Sequence, residues 1–126
     1  MHRYKYIRYV FNQGTGNPWL MNGLFLTNED FKYFKIKERD IKKCKELFEW
    51  FSDNLNCPPF DDYNWSKDAV CWYYTKAKKH LLVMDKIVKI LKKYLDIRII
   101  KLDYPGKIVW KDKYQVVAET PDFYLK

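Results

Sequence analysis

The chain has 126 residues, a formal net charge of +8 and an aromatic content of 19%. That length fits one domain, residues 1–126, with enough chain to bury a core unaided. No window approaches the run of about 18 apolar residues that a membrane span needs.

Arg3 to Phe11 is rich in Tyr, Ile and Val and predicts a strand. Asn12 to Pro18 supplies turn-forming residues. Trp19 to Leu26 then predicts a second strand, paired with the first as a hairpin, with Gly23 as a bulge. Gly14-Thr15-Gly16 therefore joins two strands and has no helix N-terminus behind it, so it reads as a hairpin loop and not as a phosphate loop. Thr27 is placed to cap a short helix from Asn28 to Phe34. From about Lys37 to Leu55, apolar residues at Ile41, Cys44, Leu47, Phe48, Phe51 and Leu55 fall on one helical face. Cys57-Pro58-Pro59-Phe60 ends that helix.

Ala69 to Tyr74 is a continuous apolar run, as in a buried central strand. Thr75 is expected to cap a second long helix reaching about Leu95, with Ala77, Leu81, Met84, Ile87, Val88, Leu91 and Leu95 on its apolar face. Strands follow at Ile97–Leu102, Lys107–Trp110 and Tyr114–Glu119. Tyr104-Pro105-Gly106 suits a type II turn between the first two of these. The predicted fold class is α+β, in the order β-β-α-β-α-β-β-β, with two long helices packed on one face of a mainly antiparallel sheet.

Cys44, Cys57 and Cys71 lack CxxC spacing. That argues against a disulfide framework or a zinc site, so no metal and no cofactor is expected and a reducing cytoplasm is. The basic N-terminus leads into no apolar stretch, which argues against secretion, and no membrane association is expected.

Trp50-Phe51 with Asn54-Leu55, then Pro58 and Phe60, is followed by Val70-Cys71-Trp72-Tyr73, by His80 on a helix, and by Pro105-Gly106-Lys107-Ile108-Val109-Trp110-Lys111-Asp112-Lys113-Tyr114-Gln115-Val116-Val117-Ala118. This pattern, over the last two thirds of the chain, resembles one in small uncharacterised bacterial and phage proteins. The resemblance implies a mobile-element or accessory gene product and brings no activity or site residues with it.

The charge is polarised. Thr75 to Lys113 holds twelve cations against four anions, which is the whole of the excess. Glu46 to Tyr74 is acidic. Lys78, Lys79, Lys86, Lys89 and Lys93 lie opposite the apolar face of the second long helix, and Arg98 and Lys101 follow in the next strand. Like charges at such spacing repel, and a phosphate backbone would relieve that repulsion and release counterions. Tyr73, Tyr74 and Tyr94 nearby suit stacking on unpaired bases. Lysine in place of arginine points to backbone contact and not to base reading. A lysine-rich outer face is equally what a solvated amphipathic helix shows.

Asp61, Asp62, Trp65 and Trp110 are candidates for contact with a protein partner. Lys107, Lys111 and Lys113 flank strands whose edge is open to pairing. His80, with Cys71 just before its helix, is the candidate for chemistry. Asp61, Asp62 and Asp68 are candidates to orient it or to hold a divalent metal. The chain has no HExxH, P-loop or GxSxG signature, which turns the reading away from an enzyme.

The leading expectation is a non-enzymatic module contacting nucleic acid or a nucleoprotein complex through its C-terminal half. A protein–protein inhibitor or accessory factor of a phage or mobile element is the second, and a small hydrolase or nuclease centred on His80 the third. Oligomeric state and the choice between DNA and RNA stay open.

Overall fold

A computed structural model describes residues 3–11, 23–66 and 69–120. They form β1 (Tyr6–Phe11), α1 (Asn28–Tyr33), α2 (Glu38–Asn54), β2 (Ala69–Tyr74), α3 (Lys78–Leu91), β3 (Ile97–Leu102), β4 (Lys107–Lys111) and β5 (Gln115–Glu119). The five strands make one sheet in the order β3-β1-β2-β5-β4, with every neighbouring pair antiparallel. The fold is α+β, as the hydrophobic periodicity predicts.

Local chemistry sets the boundaries. Thr27 caps α1 through a capping box: its Oγ1 accepts from the Asp30 amide at 3.1 Å, and the Asp30 carboxylate accepts from the Thr27 amide at 2.9 Å. Leu55 takes an extended conformation and ends α2 ahead of Pro58 and Pro59. α3 starts later than expected. Its N-cap is Ala77, with no side-chain cap. Thr75 is drawn away because its hydroxyl donates to the Tyr4 carbonyl at 2.6 Å, tying the end of β2 to the start of β1. α3 stops at Leu91, where the Tyr94 and Leu95 amides both turn back to the Leu91 carbonyl.

The first predicted hairpin is only partly described, and a second expected pairing changes. Residues 12–22 of the first predicted hairpin lie outside the described residues. From 23 onward only an isolated antiparallel bridge, Val10 to Gly23, joins β1, and Leu24 and Leu26 enter the core instead. β3 and β4 are not a hairpin but stand at opposite edges of the sheet.

That second change sets the shape of the sheet. The registers place Leu102 beside Tyr6 and Lys107 beside Glu119, at diagonally opposite corners. In a flat sheet those corners would be roughly 25 Å apart, from strand spacing and rise. The five steps from Leu102 to Lys107 reach at most about 17 Å. The sheet must therefore coil until the corners meet, as in orthogonal packing.

The corner is built around Trp72. This side chain is fully buried with Val10, Val70, Ile100, Val116 and Ala118 on the face away from the helices. Its indole N–H donates to Thr120 Oγ1 at 3.0 Å, and the Thr120 hydroxyl donates to the Pro105 carbonyl. Gly106 has φ +109°, and a Cβ there would fall 2.2 Å from the Glu119 carbonyl oxygen. Only glycine fits, by conformation and by space.

The other face carries the main core, where Ile7, Tyr9, Phe11 and Tyr73 meet Cys44 and Phe51 of α2 and Val83, Met84, Ile87 and Leu91 of α3. Asp40 closes this layer at one end. It is 3% exposed and accepts the Tyr94 O–H at 2.5 Å and Lys93 Nζ at 3.1 Å. The Tyr94 hydrogen bond first, and Lys93 second, hold its carboxyl below the ordinary value of 3.8.

Gly106→Ala should destabilise the fold by about 3 kcal/mol or more, since backbone strain and overlap add. Thr120→Val should cost about 2–4 kcal/mol by stranding both the Trp72 indole N–H and the Pro105 carbonyl, and Thr120→Ser much less. Urea denaturation reads each. Asp40 has a depressed folded pKa, so its contribution is complete above the unfolded value and is lost as pH falls through the folded one. The wild type should lose stability as pH drops below 3.8, and Asp40→Asn should flatten that acid limb in denaturation measured against pH.

Candidate functional site

β2 turns into α3 within Thr75–Ala77, and β4 turns into β5 within Asp112–Tyr114. The two turns lie side by side because β2 and β5 are paired and the Tyr74 amide donates to the Tyr114 carbonyl at 3.0 Å. The C-terminal end of α2 forms a third wall. Between them runs an open groove of about 890 Å³ lined by Trp50, Asn54, residues 74 and 76–80, and residues 111–114.

Its charge is one-sided. Lys76, Lys78, Lys79, Lys111 and Lys113 line it, and among the described residues Asp112 is the single acidic one that does. Asp112 is occupied: Oδ1 accepts from the Tyr114 and Gln115 amides at 2.8 and 3.0 Å, and Oδ2 from Gln115 Nε2 at 3.3 Å. Among the described residues no carboxylate lies within ion-pair distance of these five lysines. The start of α3 adds to this field, since it has no acidic residue in its first turn and no side-chain cap.

Lysines and rings interleave. Lys76 Nζ lies 5.3 Å from the Tyr74 ring centre, Lys79 5.9 Å from Trp50, and Lys113 5.6 Å from Tyr114. His80 is 5% exposed and sits among Tyr114, Trp50 and Phe51 at ring-centre distances of 4.2, 5.1 and 6.0 Å. Its Nε2 lies 2.8 Å from the Asn54 carbonyl oxygen. A carbonyl only accepts, so Nε2 carries the proton and caps one of the last free carbonyls of α2. α2 has no basic residue in its own last turn. His80 supplies that role from the neighbouring helix and holds the Trp50–Asn54 wall in place.

The sequence-predicted residues fall in separate places. Lys78 and Lys79 line the groove. Lys86, Lys89 and Lys93 line a second crevice along α2, with Asp40, Lys43 and Glu46, and Lys93 is paired there with Asp40. Arg98 and Lys101 are exposed on edge strand β3. Cys71 lines a third, apolar cavity and not the groove that His80 lines. Burial pushes the Cys71 and Cys44 thiols up to about 11.

Asp61 and Asp62 are exposed in a loop where Trp65 stacks on Tyr63 at 5.3 Å and meets Phe60 edge-on. Asp68 lies outside the described residues, among which no three His, Cys, Asp or Glu side chains are grouped to hold a metal. Trp110 is half-buried on edge strand β4. No described helix is long and apolar enough to cross a membrane.

Sequence reasoning did not assign Lys76, Lys111, Lys113, Trp50 and Tyr114 to one site. The available signal was the Lys111-Asp112-Lys113 turn directly before a strand that pairs with Ala69–Tyr74. Native-state labelling with an aromatic disulfide at pH 8 should modify the exposed Cys57 promptly. Cys44 and Cys71 should react far more slowly, because only the thiolate attacks and burial raises both thiols. Mass spectrometry of the labelled peptides checks this. Compared with protein-family models, with curated proteins and with solved structures, the chain matches none.

Proposed function

We propose that this protein is a non-enzymatic binding module that contacts nucleic acid, as a free strand or within a nucleoprotein complex, through the groove at the start of α3. The observation that carries the reading is the lining itself: five lysines with no available carboxylate among the described residues, alternating with the rings of Trp50, Tyr74 and Tyr114. Such alternation suits an unpaired strand, whose phosphates take the ammonium groups while its bases stack on rings. A duplex offers the charge but hides the base faces. Lysine supplies point charges without a bidentate fork, so binding follows the backbone and not the sequence. Three free cysteines suit the reducing cytoplasm in which such a module would work.

A second reading rests on a different surface. The loop from Phe60 to Trp65 carries Asp61 and Asp62 beside Phe60 and Tyr63, rings that are 41% and 58% exposed. Exposed rings beside acids suit a protein partner, as in an accessory factor or inhibitor.

A labelled single-stranded oligonucleotide, followed by fluorescence anisotropy, tests the first reading. With about four phosphates engaged, affinity should fall about fifty-fold between 50 and 200 mM salt. Lys79→Gln and Lys113→Gln should each weaken binding several-fold and flatten the salt dependence, while Lys92→Gln on the far end of α3 should not. Binding indifferent to salt, or equally weakened by Lys92→Gln, would sink the reading.

A further inference from the structure

The first turn of α3 leaves backbone donors open. Its first helical bond runs from the Leu81 amide to the Ala77 carbonyl at 3.1 Å, and the Lys78 amide turns back to the Lys76 carbonyl at 2.8 Å. Between these two, the Lys79 and His80 amides meet no carbonyl among the described residues. Ala77, the N-cap, has no side-chain oxygen to accept from them. The 14-residue helix also sets its positive end here, with no acidic residue in its first turn. Both amides belong to residues that line the lysine groove.

A second, independent feature lies in the same turn. His80 is 5% exposed, and its Nε2–H is committed to the Asn54 carbonyl oxygen at 2.8 Å. The other ring nitrogen, Nδ1, therefore holds a lone pair, and among the described residues it has no hydrogen-bond partner. A buried acceptor left unmet costs more than a hydrogen bond contributes. The turn thus offers donors and an acceptor together: two amides, the ammonium groups of Lys76, Lys78 and Lys79, and Nδ1. An internal phosphodiester answers only the donors, since it carries no proton at neutral pH. A phosphate monoester answers both, with a charge of about −1.5 to −2, three terminal oxygens and a second proton that leaves near pH ~6.

We propose that the first turn of α3 is a subsite for a phosphate monoester, the terminal phosphate of an unpaired strand lying in the groove. The inference rests on the nucleic-acid reading of that groove and adds where the strand ends. The Lys79 and His80 amides donate to phosphate oxygens, Lys76 and Lys78 balance the charge, and one proton is held between His80 Nδ1 and a phosphate oxygen. The strand then runs toward residues 111–114, where Lys111 and Lys113 meet internal phosphates and the Tyr114 ring takes a base. A 5′ and a 3′ terminal phosphate share this chemistry, and the two are tested separately.

One oligonucleotide sequence, made with hydroxyl ends, with a 5′-phosphate or with a 3′-phosphate, is compared by fluorescence anisotropy at fixed salt. At least one phosphorylated strand should bind about tenfold or more tightly than the hydroxyl-ended strand. A hydroxyl-ended strand one nucleotide longer, which adds charge without a monoester, should gain less than about twofold. Ala77→Ser supplies a hydroxyl that caps the same amides and should cut the preference below about threefold. His80→Gln keeps a donor for the Asn54 carbonyl, lacks Nδ1, and should cut it likewise. Ala77→Ser adds a helix cap, so it carries the test should His80→Gln fail to fold. Lys92→Gln should leave the preference intact. Equal binding of the three strands would overturn the subsite and leave the groove reading in place. A preference that survives Ala77→Ser undiminished would put the strand end elsewhere and overturn the subsite too. Binding indifferent to salt for every strand would remove the groove reading and the subsite with it.

Discussion

The buried chain from the Trp72 indole through the Thr120 hydroxyl to the Pro105 carbonyl is the contact on which the architecture turns. It pins a four-residue link across the diagonal of a five-stranded sheet. With that link in place the sheet cannot lie flat, and β3 and β4 reach opposite edges although they adjoin in sequence. Every group in the chain is satisfied, which matters because an unmet polar group there would cost more than the bond contributes. Gly106 is the complement in backbone space, set against the Glu119 carbonyl where no side chain fits.

The sheet order has two consequences for function. Pairing β5 with β2 brings the Lys111–Lys113 turn next to the β2–α3 junction, so lysines 35 residues apart in sequence share one groove. β1 is also drawn toward β3 and away from β2, which opens the split that Arg8 and Gly23 occupy. The basic groove lies at the end of the β2–β5 ladder, and the apolar cavity lies against its helix-facing side chains. His80 links the groove to the helix layer by capping α2 from α3.

Much of this was legible in the residues. Helical spacing located α2 and α3 to within a few positions, since an apolar stripe facing a core has one period. The capping box at Thr27 and the apolar run at Ala69–Tyr74 were equally plain. Pairing order was not, because alternation tells which face a side chain takes and not which strand lies beside it. Pro105-Gly106 advertises a sharp bend, and a hairpin uses the same residues as a corner link. Thr75 looks like a helix cap until the Tyr4 carbonyl competes for its hydroxyl. The lysine stripe of α3 reads as one surface along the helix. Packing against α2 gives Lys86, Lys89 and Lys93 to a crevice with Asp40 and Glu46, and leaves Lys78 and Lys79 to join Lys111 and Lys113.

The groove, and not the helical stripe, is therefore the surface assigned to nucleic acid. Amide chemical-shift mapping during titration with a single-stranded oligonucleotide distinguishes the two most directly. The account predicts that shifts concentrate at residues 76–80 and 111–114 and at the Trp50 indole N–H. Shifts centred instead on Lys86, Lys89 and Lys93, or on Arg98 and Lys101, with residues 111–114 unmoved, would contradict it.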